Sequence, residues 1–374
     1  MSTQQFWFDR FIDGSRPWLK REIVFRESKS ADGESTGVMV PEALLKQPQE
    51  GDNDRIKKLL LGDVKQGLLY CLFICVLLFV NIPGLVVDQM TKMLAILMLF
   101  MFGIAPAINA GFQFLEYTKK RTQDELERRR VDEILFYSWL QSLPRWPGYV
   151  AVGLLVAVFL VQVFHSGMVT SFGEYQAALA RSWHAVGLYR IKVTMGDEWW
   201  RIITAGLVHG GMIHLYFNSR ALLSISTVLI GICRSSWIVI IFTLSVIAGS
   251  LASIYGPVRG PSVGASGGIM GLLGFLFVLT YFYKGGLPHF IKGSVVTSVF
   301  LIGMLGWLGK DFIDNAAHAG GFVAGVVLGG IAAPFSDRLL GNEKTPAYIY
   351  PVAGVCGAVL LFGVMKILLI FFGN

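Results

Sequence analysis

The feature that most limits what this chain can become is a series of stretches without charge, each long enough to cross a bilayer. Residues 66–87 run for 22 positions and residues 93–115 for 23 without an Asp, Glu, Lys or Arg. A helix needs about 20 apolar residues to span the hydrocarbon core. Residues 146–173 form a longer stretch, interrupted only by His165, and further candidates follow at 205–232, 235–258, 260–283, 293–309, 315–336 and 345–365. The sequence therefore predicts nine spans. Pro106 lies within the second and is expected to kink it rather than end it. Composition agrees, because charged residues make up 15% of the chain where a soluble globular protein carries about 25%. An ordinary soluble enzyme is excluded.

A net charge of +7 suggests nucleic acid at first sight, but in a membrane protein charge is read first for topology. With nine spans and a cytoplasmic N-terminus, 23 of the 32 Lys and Arg residues fall inside and eight outside, Arg220 lying within a span. Lys and Arg are retained in short cytoplasmic loops, so this orientation is favoured. The basic surplus is a topology signal, and no nucleic-acid partner is expected. Cys71, Cys75, Cys233 and Cys356 sit in or at the ends of apolar stretches, where they behave as small hydrophobes and imply no disulfide framework. The first 19 residues carry Asp9 and Asp13 and no continuous apolar core. They match neither a cleavable signal nor an Arg-rich transit peptide, which favours the plasma membrane of a bacterium and leaves a eukaryotic membrane as the alternative.

Four regions follow. Residues 1–65 read as a cytoplasmic tail whose opening FWFDRFIDGSRPWLKREIVF either lies on the inner leaflet or docks on the protein itself, with a polar linker at 30–54. Residues 66–146 read as a transmembrane hairpin followed by the charged segment TKKRTQDELERRRVDE, a solvated helix by its Glu127/Arg130 and Asp124/Arg128 spacing. Residues 147–336 hold six spans as a core, and residues 337–374 add a seventh. Within the core, 166–204 reads as a long external loop whose EWW segment suits the membrane interface.

Polar groups inside a span are costly unless they meet partners or a cavity. Those here are His209, His214 and Asn218 in LVHGGMIHLYFN, Ser266 in GPSVGASGGIMG, and Asp314 and His318 in IDNAAHAGGFVAG. All fall at the external ends of three spans. If 260–283 is helical throughout, Ser266 lies roughly 9 Å along it, at ~1.5 Å per residue. A serine, histidines and an amide supply the parts of acyl transfer: a nucleophile, a base and donors for an oxyanion. Gly264, Gly267 and Gly271, with Gly321, Gly325 and Gly329, repeat at helical spacing and let two backbones approach closely. His214 and Asn218 are four apart and share a helix face. Gly264 to Gly268 matches G-x-S-x-G formally, but that elbow needs a strand-to-helix turn, which this all-helical context does not offer. Leu215 after His214 breaks H-E-x-x-H, so neither a metal nor any other cofactor is expected.

Taken together, the Gly264-Ala265-Ser266-Gly267 segment, the His209, His214, Asn218 series, the Trp200-Arg201 pair and the run from Asp314 to Gly321 resemble the rhomboid intramembrane serine proteases. The resemblance covers residues 147–335 with a seventh span after them, and leaves 1–146 outside. It implies an all-α polytopic fold with a six-helix core plus one. It further implies a Ser-His dyad in which Ser266 attacks the peptide carbonyl and His318 serves as base and then acid, with no third acidic member. The family's oxyanion hole maps onto His214, Asn218 and the Ser266 amide. His209, Trp200, Arg201, Gly264, Gly267 and Gly321 take structural roles, and residues 307–313 correspond to a flexible cap. Four residues after the serine, where the family often has an aromatic ring against the histidine, this chain has Met270. The resemblance implies an endopeptidase that cuts transmembrane segments of other membrane proteins near their external end. Small residues near the cut and helix-breaking ones beyond it would be favoured. A catalytically silent relative that binds membrane clients is the alternative, and intact Ser266 and His318 oppose it. A transporter would need polar residues at depth from both sides, and no inverted repeat is found.

Overall fold

The computed structural model describes residues 143–373 except 166–168, 258–259, 283–286, 311–312 and 334–346, together with scattered positions between 58 and 140. The expected tail, its inner-leaflet segment, the hairpin and the charged helix lie outside the described residues apart from those positions. The chain divides into two compact units, one of Met1–Gln141 with Gly285–Ile313 and one of Ser142–Lys284 with Asp314–Asn374.

Ten helices are described end to end. They are α1 (Trp146–Phe164), α2 (Phe172–Val186), α3 (Arg190–Thr194), α4 (Arg201–Thr204), α5 (Met212–Ile232), α6 (Ser235–Tyr255), α7 (Ser266–Phe282), α8 (His289–Leu308), α9 (Asn315–Ala332) and α10 (Ile349–Phe372). Among the described residues there is no strand beyond one isolated bridge between Leu188 and Ser262. Among the described residues six helices are long and apolar enough to cross a membrane, and α7 is a shorter apolar helix of 17 residues. The protein is an integral, multi-pass, all-α membrane protein. In the first unit, α8 is the helix described in full, and Phe290 at its start meets Phe136 edge to face at 5.7 Å.

Three boundaries differ from the sequence reading. Residues 260–265 are not helical, and α7 starts at Ser266 itself. The segment 166–204 is not a bare loop but carries α2, α3 and α4. Ser171 caps α2 by accepting from the Glu174 amide, and Glu174 reaches back to the Thr170 amide and hydroxyl, which hold its carboxyl below the usual range. The last span does not stop at Met365. α10 continues to Phe372 and so contains Lys366.

In the second unit α6, α7 and α9 pack on one another, with α5 beside α7 and α1, and α10 against α6. Twelve of the 17 residues of α7 are buried, so this helix is enclosed by protein and has no need of full bilayer length. Its contact with α9 is backbone on backbone. A Cβ on Gly321 would lie 2.8 Å from the carbonyl carbon of Gly267, and one on Gly325 would lie 2.6 Å from that of Gly271. Ridges of side chains ordinarily hold helix axes 8–10 Å apart. At these two glycine pairs there are none.

Gly325→Ala is therefore expected to lower stability by about 1–3 kcal/mol, the usual cost of overpacking. Gly330→Ala on the same helix, where an added Cβ meets nothing within 4 Å, is expected to leave it unchanged or slightly raised. Thermal unfolding in detergent compares the two.

Candidate active site

The site begins with a short extended segment. Leu188 and Ser262 exchange a pair of backbone hydrogen bonds at 3.0 Å each, and the Gly264 amide donates to the Ala205 carbonyl at 2.9 Å. Gly264 has φ +132°, a conformation that side chains rarely adopt, and a Cβ there would stand 2.6 Å from Cε1 of His214. Glycine is required on both counts. The chain then turns into α7 with Ser266 as its first residue, so its amide and the next are among those left without an intrahelical acceptor. Ser266 is thus approached through a short extended segment and a tight turn, with no strand before it among the described residues.

His318 occupies the fourth position of α9, and its Nε2 lies 2.9 Å from Ser266 Oγ. Asp314 fixes the start of that helix: one carboxylate oxygen accepts from the Ala317 amide at 3.0 Å and the other from the Ser253 hydroxyl of α6. Gly267, next to the nucleophile, abuts Gly321, three residues past the histidine. His318 Nδ1 is buried and has no hydrogen-bond partner among the described residues. Met270, one turn after Ser266, is buried.

Two donors converge beside Gly264. The Gly210 amide donates to Nδ1 of His214 at 3.3 Å, so a neutral ring carries its proton on Nε2, the edge that faces Gly264. Asn218, one turn on along α5, is buried with its Nδ2 unpartnered. That amide group stands 3.5 Å from where a Gly264 Cβ would lie. An unsatisfied buried donor is rare and asks for an explanation.

His209 is fully buried, its ring edge-on to His214 at 5.4 Å. Its backbone is what the structure uses. Gln162 of α1 accepts from the His209 amide at 2.8 Å and donates to the His209 carbonyl at 3.0 Å, while Trp183 Nε1 donates to the same carbonyl at 3.0 Å. Gln162 also donates to Ser182 at 2.9 Å, and the Tyr175 hydroxyl accepts from the Met212 amide at 2.9 Å. The sequence reading missed Gln162, Ser182, Trp183 and Tyr175. Gln162 was findable, being an amide side chain within an apolar span.

Trp200 and Arg201 are in the bend ahead of α5. Arg201 is 2% exposed, donates to the carbonyls of Gly187 at 2.6 Å and His184 at 3.2 Å, pairs with Glu198, and stacks over Trp200 at 4.7 Å. Arg220, for which the sequence offers no role, is exposed on α5. Trp307 and Leu308 of the expected cap belong to α8, and residues 311–312 lie outside the described residues. No group of three or more metal-ligating side chains occurs among the described residues.

Residues 196–335 match the family described as Rhomboid domain. The chain is 33% identical over 154 residues to "Rhomboid protease GluP" of Bacillus subtilis, covering 40% of this chain and 28% of that one. It is 34% identical over 151 residues to "RHOMBOID-like protein 4" of Arabidopsis thaliana, covering 38% and 36%. It is also 29% identical over 177 residues to "Inactive rhomboid protein 2" of Homo sapiens, covering 44% and 20%. In each case the match spans far less than two thirds of the relative. With the helical order and the extended approach to Ser266 in place, residues 196–335 of this chain are thus similar to the Rhomboid domain.

Proposed function

We propose that this protein is an intramembrane serine endopeptidase that cleaves transmembrane segments of other membrane proteins. The observation that carries this reading is the 2.9 Å contact between Ser266 Oγ and His318 Nε2 at the starts of two membrane-embedded helices. A serine hydroxyl is a weak nucleophile until an adjacent base takes its proton. Ser266 attacks the scissile carbonyl as its proton passes to His318 Nε2, and negative charge develops on the carbonyl oxygen. Asn218 Nδ2, His214 Nε2 and the Ser266 amide are the donors for that oxygen. Collapse of the intermediate transfers the proton from His318 to the leaving amine and leaves an acyl-enzyme on Ser266. Water activated by the same histidine then releases the second product.

The substrate follows from the surroundings. A transmembrane helix satisfies its own backbone and must unwind before its carbonyl can be attacked, so helix-breaking residues near the cut favour reaction. The charge distribution supports a cytoplasmic N-terminus and an externally placed site. A relative named as inactive raises the client-binding alternative, but the paired Ser266 and His318 favour hydrolysis.

Wild type is expected to cut a model transmembrane substrate in liposomes, and Ser266→Ala and His318→Ala to abolish cutting, with product masses locating the scissile bond. Cleavage that survives Ser266→Ala would end the serine mechanism. Asn218→Ala is expected to slow cleavage about 100-fold or more while sparing thermal stability, because the resting amide has no bond to lose. Gln162→Leu is expected to do the opposite in stability, costing about 1–3 kcal/mol through an unpaired His209 amide.

A further inference from the structure

Lys366 is the one charged residue of α10, and a charge at that place in a span needs a partner. Its Nζ lies 5.3 Å from the centroid of the Trp200 ring, the ring that Arg201 also covers. One turn back, Phe362 stacks on Trp199 with centroids 5.6 Å apart and planes 3° from parallel. Gly363, between them in sequence, faces Ile203 and Leu207 so closely that a Cβ would stand 2.8 Å from one and 2.9 Å from the other. Phe362, Gly363 and Lys366 fall on one helix face, which therefore docks along residues 199–207.

From that segment two lines of hydrogen bonds lead to the nucleophile. Arg201 donates to Gly187 and the Thr204 hydroxyl to the Val186 carbonyl at 2.7 Å, which holds the end of α2, and Leu188 next to it bridges Ser262. More directly, the Ala205 carbonyl accepts from the Gly264 amide. Both lines end within four residues of Ser266. They fix the turn in which the serine amide and the Gly264 backbone face His214 and Asn218.

We infer that the seventh helix is a positioning element of the catalytic centre, and that Lys366 acts on Ser266 through Trp200 and the backbone contacts of residues 199–207. This rests on the hydrolase reading. The family resemblance gave Trp200 and Arg201 structural roles and gave none to the seventh span. Cation–π contact with tryptophan is the strongest of its kind, and arginine supplies it as well as lysine does. A small displacement of the turn is enough to slow the nucleophile, since a shift of about 1 Å can cost 10²-fold.

The test is the rate at which a fluorophosphonate labels Ser266 in the full-length protein in detergent, with Ser266→Ala as the blank and thermal unfolding run in parallel. Lys366→Met is expected to slow labelling about tenfold or more, Lys366→Arg to restore most of the rate, and Met365→Ala on the exposed side of the same helix to leave it unchanged. A Lys366→Met rate equal to wild type, or a Lys366→Arg rate as low as that of Lys366→Met, overturns the inference. Should Lys366→Met fail to fold, Phe362→Leu, which keeps apolar bulk and removes the ring stack, is expected to slow labelling at least severalfold, and an unchanged rate there overturns it equally. Wild type that shows no Ser266-dependent labelling overturns the hydrolase reading itself, which separates the two failures.

Discussion

Everything at the site depends on two helix backbones touching. Serine has the shortest reach of any nucleophilic side chain, and Ser266 meets His318 at 2.9 Å because Gly267 and Gly321 bring α7 and α9 together without intervening side chains. Lipid gives helices no hydrophobic reason to associate, so the contact must come from close packing and from polar links between helices. The Ser253 hydroxyl on the Asp314 carboxylate is such a link: it ties α6 to the first turn of α9, where the histidine stands. The same glycines that allow the approach weaken each helix intrinsically. Burial of α7 on nearly all sides offsets that weakness.

The helices were legible because hydropathy over 20 residues is a strong signal, and the candidate site residues were legible because polar groups in apolar spans stand out. What failed was the conformation of short segments. Residues 260–265 carry no charge, and a hydropathy window cannot tell an extended apolar segment from a helical one. The Gly260-Pro261 pair and Gly264 were the available punctuation. One bridge between Leu188 and Ser262 holds the segment extended, a pairing too short to leave a strand pattern in the sequence. Lys366 was placed outside the last span because a charge normally ends one. The Trp200 ring that takes up the charge is 166 residues away in sequence, and no local pattern reveals it.

The polar groups divide into those satisfied at rest and those left open. Gln162, Trp183, Tyr175 and Thr204 all have their partners, and together they immobilise the segment from Thr204 to Met212 against α1 and α2. Asn218 Nδ2 has none. A buried donor without an acceptor costs about 1–3 kcal/mol in the resting protein. On the proposed mechanism that cost would be recovered when negative charge forms nearby, which is the condition for lowering a barrier rather than binding substrate more tightly. The satisfied network supplies the rigidity that keeps the open donor from collapsing onto a substitute partner.

The division of labour between helices and the segment before α5 follows from precision. Helices packed through glycine set the Ser266 to His318 distance, but they cannot orient the donors, because Gly264 and the His214 edge are placed by backbone hydrogen bonds from residues 205 and 210. Those residues belong to a bend, and a bend holds its shape only when its own ends are anchored. Arg201 anchors one end through two carbonyls and Gln162 the other through the His209 peptide. The apolar helices thus enclose a polar scaffold. It is built from Gln162 of α1, the bend before α5 and the 166–204 segment, which hydropathy alone reads as a connection between spans.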